Sequence, residues 1–269
     1  MGKKFFQYMK LYKKKSYIFA IFFFSTIFAY SSDSKKSLEK ISGYQFAEPS
    51  TQEIEDDDFI NPAFLWIDRG HSLWKTKKFS EKVENSCFDC HGDVKKMKGI
   101  SLEYPKVLEN KLINLDQRIN LCLQKKMGQP KYEAESKNLL SLSALISLQS
   151  RGLTIAKEID EKNKEWFEKG RKLYFTKIGQ MGVSCNQCHD DRVGQNLRAE
   201  KVSQGHINGF PSYLLRWSKL ASVHKRIQFC NEQARAKPFK LFSDEYNALQ
   251  LYLLWRGNGM LSESPSVRK

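Results

Sequence analysis

Apolar residues along this chain fall into two patterns. Near the N-terminus an unbroken run, Tyr17 to Ala29 (YIFAIFFFSTIFA), follows a lysine-rich stretch. Further on, apolar positions return every three or four residues, the period of a helix with one buried face. This spacing occurs in LWIDRGHSLW (Leu65 to Trp74) and EWFEKGRKLY (Glu165 to Tyr174), at Leu139, Leu142, Leu145 and Ile146, and at Tyr246, Leu249 and Leu253. The pattern predicts two pairs of helices, the closing members running from Ser136 to Gly152 and from Ser243 to Gly257. Strand-like alternation is sparse, so the expected fold class is mostly α, with long loops.

The pairs form an internal repeat. Trp66 and Trp166 are 100 residues apart, as are Gly70 and Gly170, and the motif R-I-x-x-C recurs as Arg118–Cys122 and Arg226–Cys230. Each R-I-x-x-C is followed eight residues later by a proline, Pro130 or Pro238. Two tandem domains follow, residues 59–157 and 158–269, joined in the charged stretch from Gly152 to Lys162. Ahead of them, residues 32–58 form a polar lead-in whose acidic run (Glu53, Glu55, Asp56, Asp57, Asp58) reads as solvated.

The N-terminal apolar run changes the picture through its length. It is short for a membrane span, which takes roughly 20 residues. With a basic stretch before it and small residues near Ala29 and Ser31, residues 1–31 read as an export signal, and an uncleaved anchor is the alternative. The expected location is the periplasm, with no stable membrane span after processing. Those 31 residues hold six lysines and no acid, so the remainder still carries +9 of the total +15. A basic body suits an anionic partner, while nucleic acid is not expected. At 41% hydrophobic and 13% aromatic, the chain has enough apolar mass for real cores, which excludes a disordered protein.

Six cysteines in an exported chain would ordinarily pair as disulfides, but four of them lie in Cys87-Phe88-Asp89-Cys90-His91 and Cys185-Asn186-Gln187-Cys188-His189. C-x-x-C-H is the attachment pattern of c-type haem. Two thiols reach the two vinyl groups on one edge of the macrocycle, and the next residue, His91 or His189, lies under the iron as proximal ligand. A zinc site would need a second ligand pair nearby, and a redox dithiol needs no histidine there. The cofactor expected is therefore two covalently bound haems c, through Cys87, Cys90, Cys185 and Cys188.

Cys122 and Cys230 remain, at equivalent places in the repeat. Met127 has Arg235 as its counterpart, and Met97, Met181 and Met260 have no matched partners, so cysteine is the soft ligand that recurs. Each thiolate then ligates its own iron opposite His91 or His189; a Cys122–Cys230 disulfide or a buried inert thiol is the alternative. Arg226 lies one helical turn before Cys230, placed to lower its pKa and to hold an anionic substrate, or else to serve haem propionates as Arg118 would. His206 and His224 lack repeat counterparts, His71 falls on a predicted helix, and Trp217 and Trp255 read as packing around haem.

The stretches G-H-I-N-G-F-P-S-Y (Gly205–Tyr213), R-W-S-K-L (Arg216–Leu220), H-K-R-I-Q-F-C-N (His224–Asn231), A-R-A-K-P-F (Ala234–Phe239) and L-Y-L-L-W-R-G-N-G (Leu251–Gly259) resemble the SoxA family. These are the cytochrome c subunits of the SoxAX complex, an L-cysteine S-thiosulfotransferase, and the N-terminal half is similar to the family's dihaem branch. The resemblance implies oxidative joining of thiosulfate to a cysteine of a SoxYZ-type carrier protein, with electrons passed to cytochrome c. It implies a heterodimer with a SoxX-type monohaem cytochrome c. It further implies His189 and Cys230 on the active-site iron, His91 and Cys122 on the other, Cys230 as a persulfide-bearing catalytic residue, and Arg226 as substrate ligand. The alternatives are a thiosulfate dehydrogenase forming tetrathionate and a dihaem electron carrier without catalysis.

Overall fold

Two helix crossings organise the structure, and each turns on a glycine. The computed structural model describes residues 39–79 and 84–269; the export signal and residues 32–38 of the lead-in lie outside them. The first lobe holds α1 (Pro49–Asp56), α2 (Phe64–Lys75), α3 (Cys87–His91), α4 (Ile100–Glu103), α5 (Leu115–Met127) and α6 (Lys137–Leu148). The second holds α7 (Lys164–Phe175), α8 (Cys185–His189), α9 (Val223–Gln233) and α10 (Asp244–Arg256). A Cβ on Gly70 of α2 would stand 2.5 Å from the Ser141 carbonyl oxygen of α6, and one on Gly170 of α7 would stand 2.0 Å from that of Ala248 on α10. Neither contact leaves room for a methyl group, so the opening and closing helices of each lobe touch backbone to backbone.

Local chemistry starts the helices where the sequence suggests. Ser136 and Ser243 cap α6 and α10 by accepting from the amides of Leu139 and Tyr246. Asn114 and Gln117 form a reciprocal capping box on α5, and Ser222 caps α9. The helix expected from Ser136 to Gly152 stops at Leu148, beyond which the chain turns to Gly152.

Short strands are the main departure from the expected helices and loops. β1 (Lys78–Phe79) pairs with β2 (Glu84–Asn85), and β5 (Asn196–Leu197) with β6 (Glu200–Lys201). More consequential are the antiparallel hairpins β3 (Lys106–Leu108)/β4 (Lys111–Ile113) and β7 (Ser212–Leu214)/β8 (Lys219–Ala221). β9 (Ser266–Arg268) runs parallel to β7 on its other side. Strands of two or three residues are too short for alternation to register in a sequence.

The hairpins tie the repeats together. Leu112 of β4 is buried in the core of the second lobe (with Phe167, Tyr174 and Leu249), while Leu220 of β8 is buried in that of the first (with Ile67, Leu139 and Leu145). These two leucines occupy equivalent places, so each half lends one side chain to the other's core. The connection between the lobes is also bonded to the C-terminal part of the chain, through Ile155 N to Met260 O and Lys157 N to Asn258 Oδ1. In the lead-in, Glu53, Asp56, Asp57 and Asp58 are exposed as expected. Glu55 is not: its carboxylate accepts from the Val267 amide and pairs with Arg268, because α1 docks on the C-terminal strand.

A cavity of about 70 Å³ lies among these elements, lined by Asp116, Ser143, Ser147, His224 and Gln250. His224 is buried, and its Nδ1 accepts from the Phe242 amide. Burial pushes the Asp116 carboxyl up to about 7, with Ser143 opposing and Glu135 adding to the shift.

Replacing Gly170 by alanine should force α7 and α10 apart, at a cost of about 1–3 kcal/mol, the range for overpacking a tight contact. Chemical denaturation would measure it, and an unchanged midpoint would refute the contact. The folded state also holds a proton on Asp116 that the unfolded chain releases near its ordinary value of about 3.9. Its contribution should be complete below that value and fade as pH rises through about 7. Denaturation midpoints across that range should fall in the native protein, with a smaller slope in Asp116→Asn.

Candidate functional site

Each attachment motif is a single helical turn that its own flanking residues hold in place. Ser86 Oγ accepts from the Asp89 amide while the Asp89 carboxylate accepts from the Ser86 amide, at 3.2 and 2.8 Å. Ser184 and Gln187 form the same reciprocal box on α8. Five residues would not stay helical without such caps. No residue of α3 or α8 is fully buried, although both N-cap serines are. Cys87 and Cys185 are half-buried against the cores of their lobes, whereas Cys90 is exposed.

The opening helix of each lobe fixes its motif from behind. Trp74, at the end of α2, donates from Nε1 to the Gly92 carbonyl at 2.9 Å, and its ring lies 5.8 Å from that of His91. In the second lobe Tyr174 donates from its hydroxyl to Asp190 at 2.8 Å, Arg256 Nη2 donates to the same carboxylate, and the Arg256 guanidinium lies 4.4 Å from the Tyr174 ring centre. A neutral bond behind the first motif is thus replaced by a charged network behind the second. The sequence reading missed this network; its trace there is that Trp74 and Tyr174, and Gly92 and Asp190, differ across the repeat.

His189 is set for a metal. Its Nδ1 lies 2.8 Å from the Ser203 carbonyl oxygen, to which it donates, leaving the Nε2 lone pair for a ligand bond. Burial, first among the causes, together with Arg256 and Arg226, holds its pKa below the ordinary value, so the imidazole stays neutral. Gly205 packs against the same ring: a Cβ there would meet His189 Cγ at 2.8 Å, and its φ of +69° suits glycine. Ser203 acts through its carbonyl, for which side-chain identity offers no signal.

The two remaining cysteines lie near these motifs. All six cysteines are free, so the structure has no Cys122–Cys230 disulfide. Burial pushes the Cys87 thiol up to about 11, with nearby Cys122 adding to the shift. Burial likewise takes Cys185 up to about 12, with Cys230 the next contributor. Each unmatched cysteine therefore lies near the first attachment thiol of its own lobe. Cys230 has solvent-accessible surface, yet enough protein surrounds it for burial to raise its pKa, against the downward pull of Arg226. A metal cation bound at such a thiol would compensate the charge of its thiolate. A neutral histidine in the C-x-x-C-H turn and a cysteine nearby fit the donor set that a c-type haem would use.

Arg226 completes the second site. Its guanidinium lies 5.5 Å from the Phe229 ring centre, and its Nη1 is buried without a hydrogen-bond partner. In the first lobe, Arg118 instead acts on Tyr104. The methionines lie elsewhere: Met97 and Met127 pack in the first core, Met260 is buried and Met181 is exposed. Trp217 meets Phe229 edge-on, whereas Trp255 packs on Phe167 and Tyr252 and is 39% exposed.

Comparisons with known proteins give the family. The family model for the SoxA/TsdA cytochrome c domain matches residues 69–155 and 169–261. A Paracoccus pantotrophus protein named L-cysteine S-thiosulfotransferase subunit SoxA is 39% identical over 229 residues, covering 84% of this chain and 78% of that protein. The protein of the same name from Pseudaminobacter salicylatoxidans is 37% identical, covering 86% and 82%. The crystal structure of SoxXA from P. pantotrophus superposes with a TM-score of 0.82 at 38% identity, over 86% of this chain and 87% of that one. Haem c is the cofactor that a cytochrome c domain implies. With a family match over each half and relatives at this identity across most of its length, the chain belongs to the SoxA/TsdA cytochrome c family.

Proposed function

We propose that this chain is the catalytic subunit of an L-cysteine S-thiosulfotransferase, with two covalent haems c and its active site in the second lobe. The supporting observation is the pairing of Cys230 with Arg226: an exposed thiol near an attachment motif, and one turn earlier a buried guanidinium nitrogen that lacks an acceptor. Leaving such a donor unsatisfied is costly, and an anionic substrate would satisfy it.

Cys87 and Cys90 would hold one haem and Cys185 and Cys188 the other, with His91 and Cys122, and His189 and Cys230, supplying the ligands to their irons. Bound haem supplies an electron acceptor whose anionic sulfur ligand favours its ferric state. Arg226 binds the thiosulfate dianion and orients its sulfane sulfur toward Cys230, which carries an additional sulfur as a persulfide. The Arg256–Asp190–Tyr174 network and Gly205 hold His189 in register behind the metal. In the net reaction a sulfur–sulfur bond forms between thiosulfate and a carrier cysteine of SoxYZ type, the carrier thiol loses its proton, and two electrons depart. A SoxX-type monohaem cytochrome c, bound as a heterodimer, receives them for a cytochrome c acceptor. The complex works in the periplasm after removal of the export signal. Among the described residues no helix is long and apolar enough to cross a membrane.

Four measurements test this reading. The mature protein should contain two haems per chain. Low-temperature EPR of its oxidised form should show two low-spin ferric signals of thiolate type, one of them altered by Cys122→Met. A single haem, or signals without thiolate character, would contradict the ligand assignment. In Cys230→Ser, thiosulfate-dependent turnover with the carrier should fall at least about a hundredfold, as expected when a nucleophile is lost. Mass spectrometry should find an extra sulfur on the native Cys230 peptide. Retained turnover, or tetrathionate formed without carrier, would overturn the assignment.

A further inference from the structure

The second lobe departs from the first at two places, and these are bonded to each other. From the motif histidine to the proline that opens the central hairpin, the first lobe takes fourteen residues (His91 to Pro105) and the second twenty-two (His189 to Pro211). The longer span includes the β5/β6 hairpin, which carries Glu200. The central hairpins differ as well: β3 and β4 are joined by Glu109–Asn110, whereas β7 and β8 are joined by four residues, Leu215–Ser218. The two added residues bring Arg216 and Trp217 into a loop for which the first lobe has no counterpart. Arg216 pairs with Glu200, so each insertion holds the other.

Both lean on the helix that carries Cys230. Trp217 meets Phe229 edge-on at 5.4 Å, and the Arg216 guanidinium lies 5.5 Å from the same ring. Arg226 lies equally close to that ring. Phe229 thus has two guanidinium groups around it, where the first lobe has Leu121. Two cations around one ring repel each other unless an anion enters between them. Glu200 engages one nitrogen of Arg216, while Arg226 has a buried nitrogen without an acceptor. With its side chain 37% exposed, Arg216 is the outer of the pair, packed on the ring next to Cys230 in the chain.

We propose that these two insertions form an anion-recognition rim around the second site, in which Arg216 meets an oxoanion of the incoming substrate. The oxoanion is either the sulfonate of thiosulfate or a carboxylate on the carrier protein. The inference rests on the activity proposed above and adds to it a specificity-determining residue. Glu200 keeps the guanidinium pointed at the Phe229 ring, and Arg216 and Arg226 then grip the anion from two sides by charge-assisted hydrogen bonds.

The test uses the heterodimeric complex with Arg216→Ala and Arg216→Lys, varying thiosulfate and carrier in turn. The alanine variant should raise a KM about tenfold, as loss of a hydrogen bond to a charged group implies, with kcat within about twofold. Lysine should recover part of the loss, since it keeps the charge without the planar fork. A rise confined to thiosulfate identifies the sulfonate as the anion, and one confined to the carrier identifies a carboxylate. The EPR signal and midpoint potential of the second haem should stay unchanged. Two unchanged KM values would overturn the proposal, and so would a shifted potential with both KM values intact, which would assign Arg216 to a haem propionate. Cys230→Ser assayed alongside separates the two readings: its continued turnover would defeat the activity itself, whereas a silent Arg216→Ala beside an inactive Cys230→Ser would defeat the rim alone.

Discussion

The contact on which the structure depends is a helix crossing with no space for a methyl group. At Gly70 and Gly170 the opening helix of a lobe meets a carbonyl oxygen of its closing helix. This contact sets the height at which the opening helix ends, and so where Trp74 and Tyr174 reach the backs of the attachment motifs. A motif of five residues has little structure of its own beyond its capping box. Its direction relative to the nearby cysteine is inherited from the crossing. Close packing transmits such placement because interiors deform little before they lose stability.

The halves share this frame but diverge in what surrounds it. Behind His91 stand a neutral indole and a backbone carbonyl; behind His189 stand Asp190, Arg256 and Tyr174. In front, Cys122 follows Arg118, which acts on Tyr104, whereas Cys230 follows Arg226, whose Nη1 has no acceptor. Two similar cofactor sites with different charges around them suit a division of labour between electron transfer and chemistry. The exchange of Leu112 and Leu220 between cores holds the sites in a constant relation, so that neither lobe opens independently of the other.

Electrostatics at Cys230 is a contest between two effects of opposite sign. Burial favours the protonated thiol and is the larger; the Arg226 guanidinium favours the thiolate. A bound metal cation would reverse the outcome, because a metal-bound thiol loses its proton outright.

Much of this was legible in the chain as written. C-x-x-C-H, the paired R-I-x-x-C and the spacing of Gly70 and Gly170 named the helices, the two motif turns and the two unmatched cysteines, because each reflects local periodic geometry. The helix ends at Ser136 and Ser243 were equally visible, since capping acts within one turn. Glu55 was read as solvated and is held by Val267 and Arg268 more than two hundred residues away. The Ser203 carbonyl that orients His189, the Arg256–Asp190 pair and the rim joining Arg216 to Glu200 could not be read in advance. Each depends on backbone atoms or on residues brought together by the crossing helices and by strands of two or three residues. Periodicity reports which face of a segment is buried, but not which distant segment covers it. Only packing decides that.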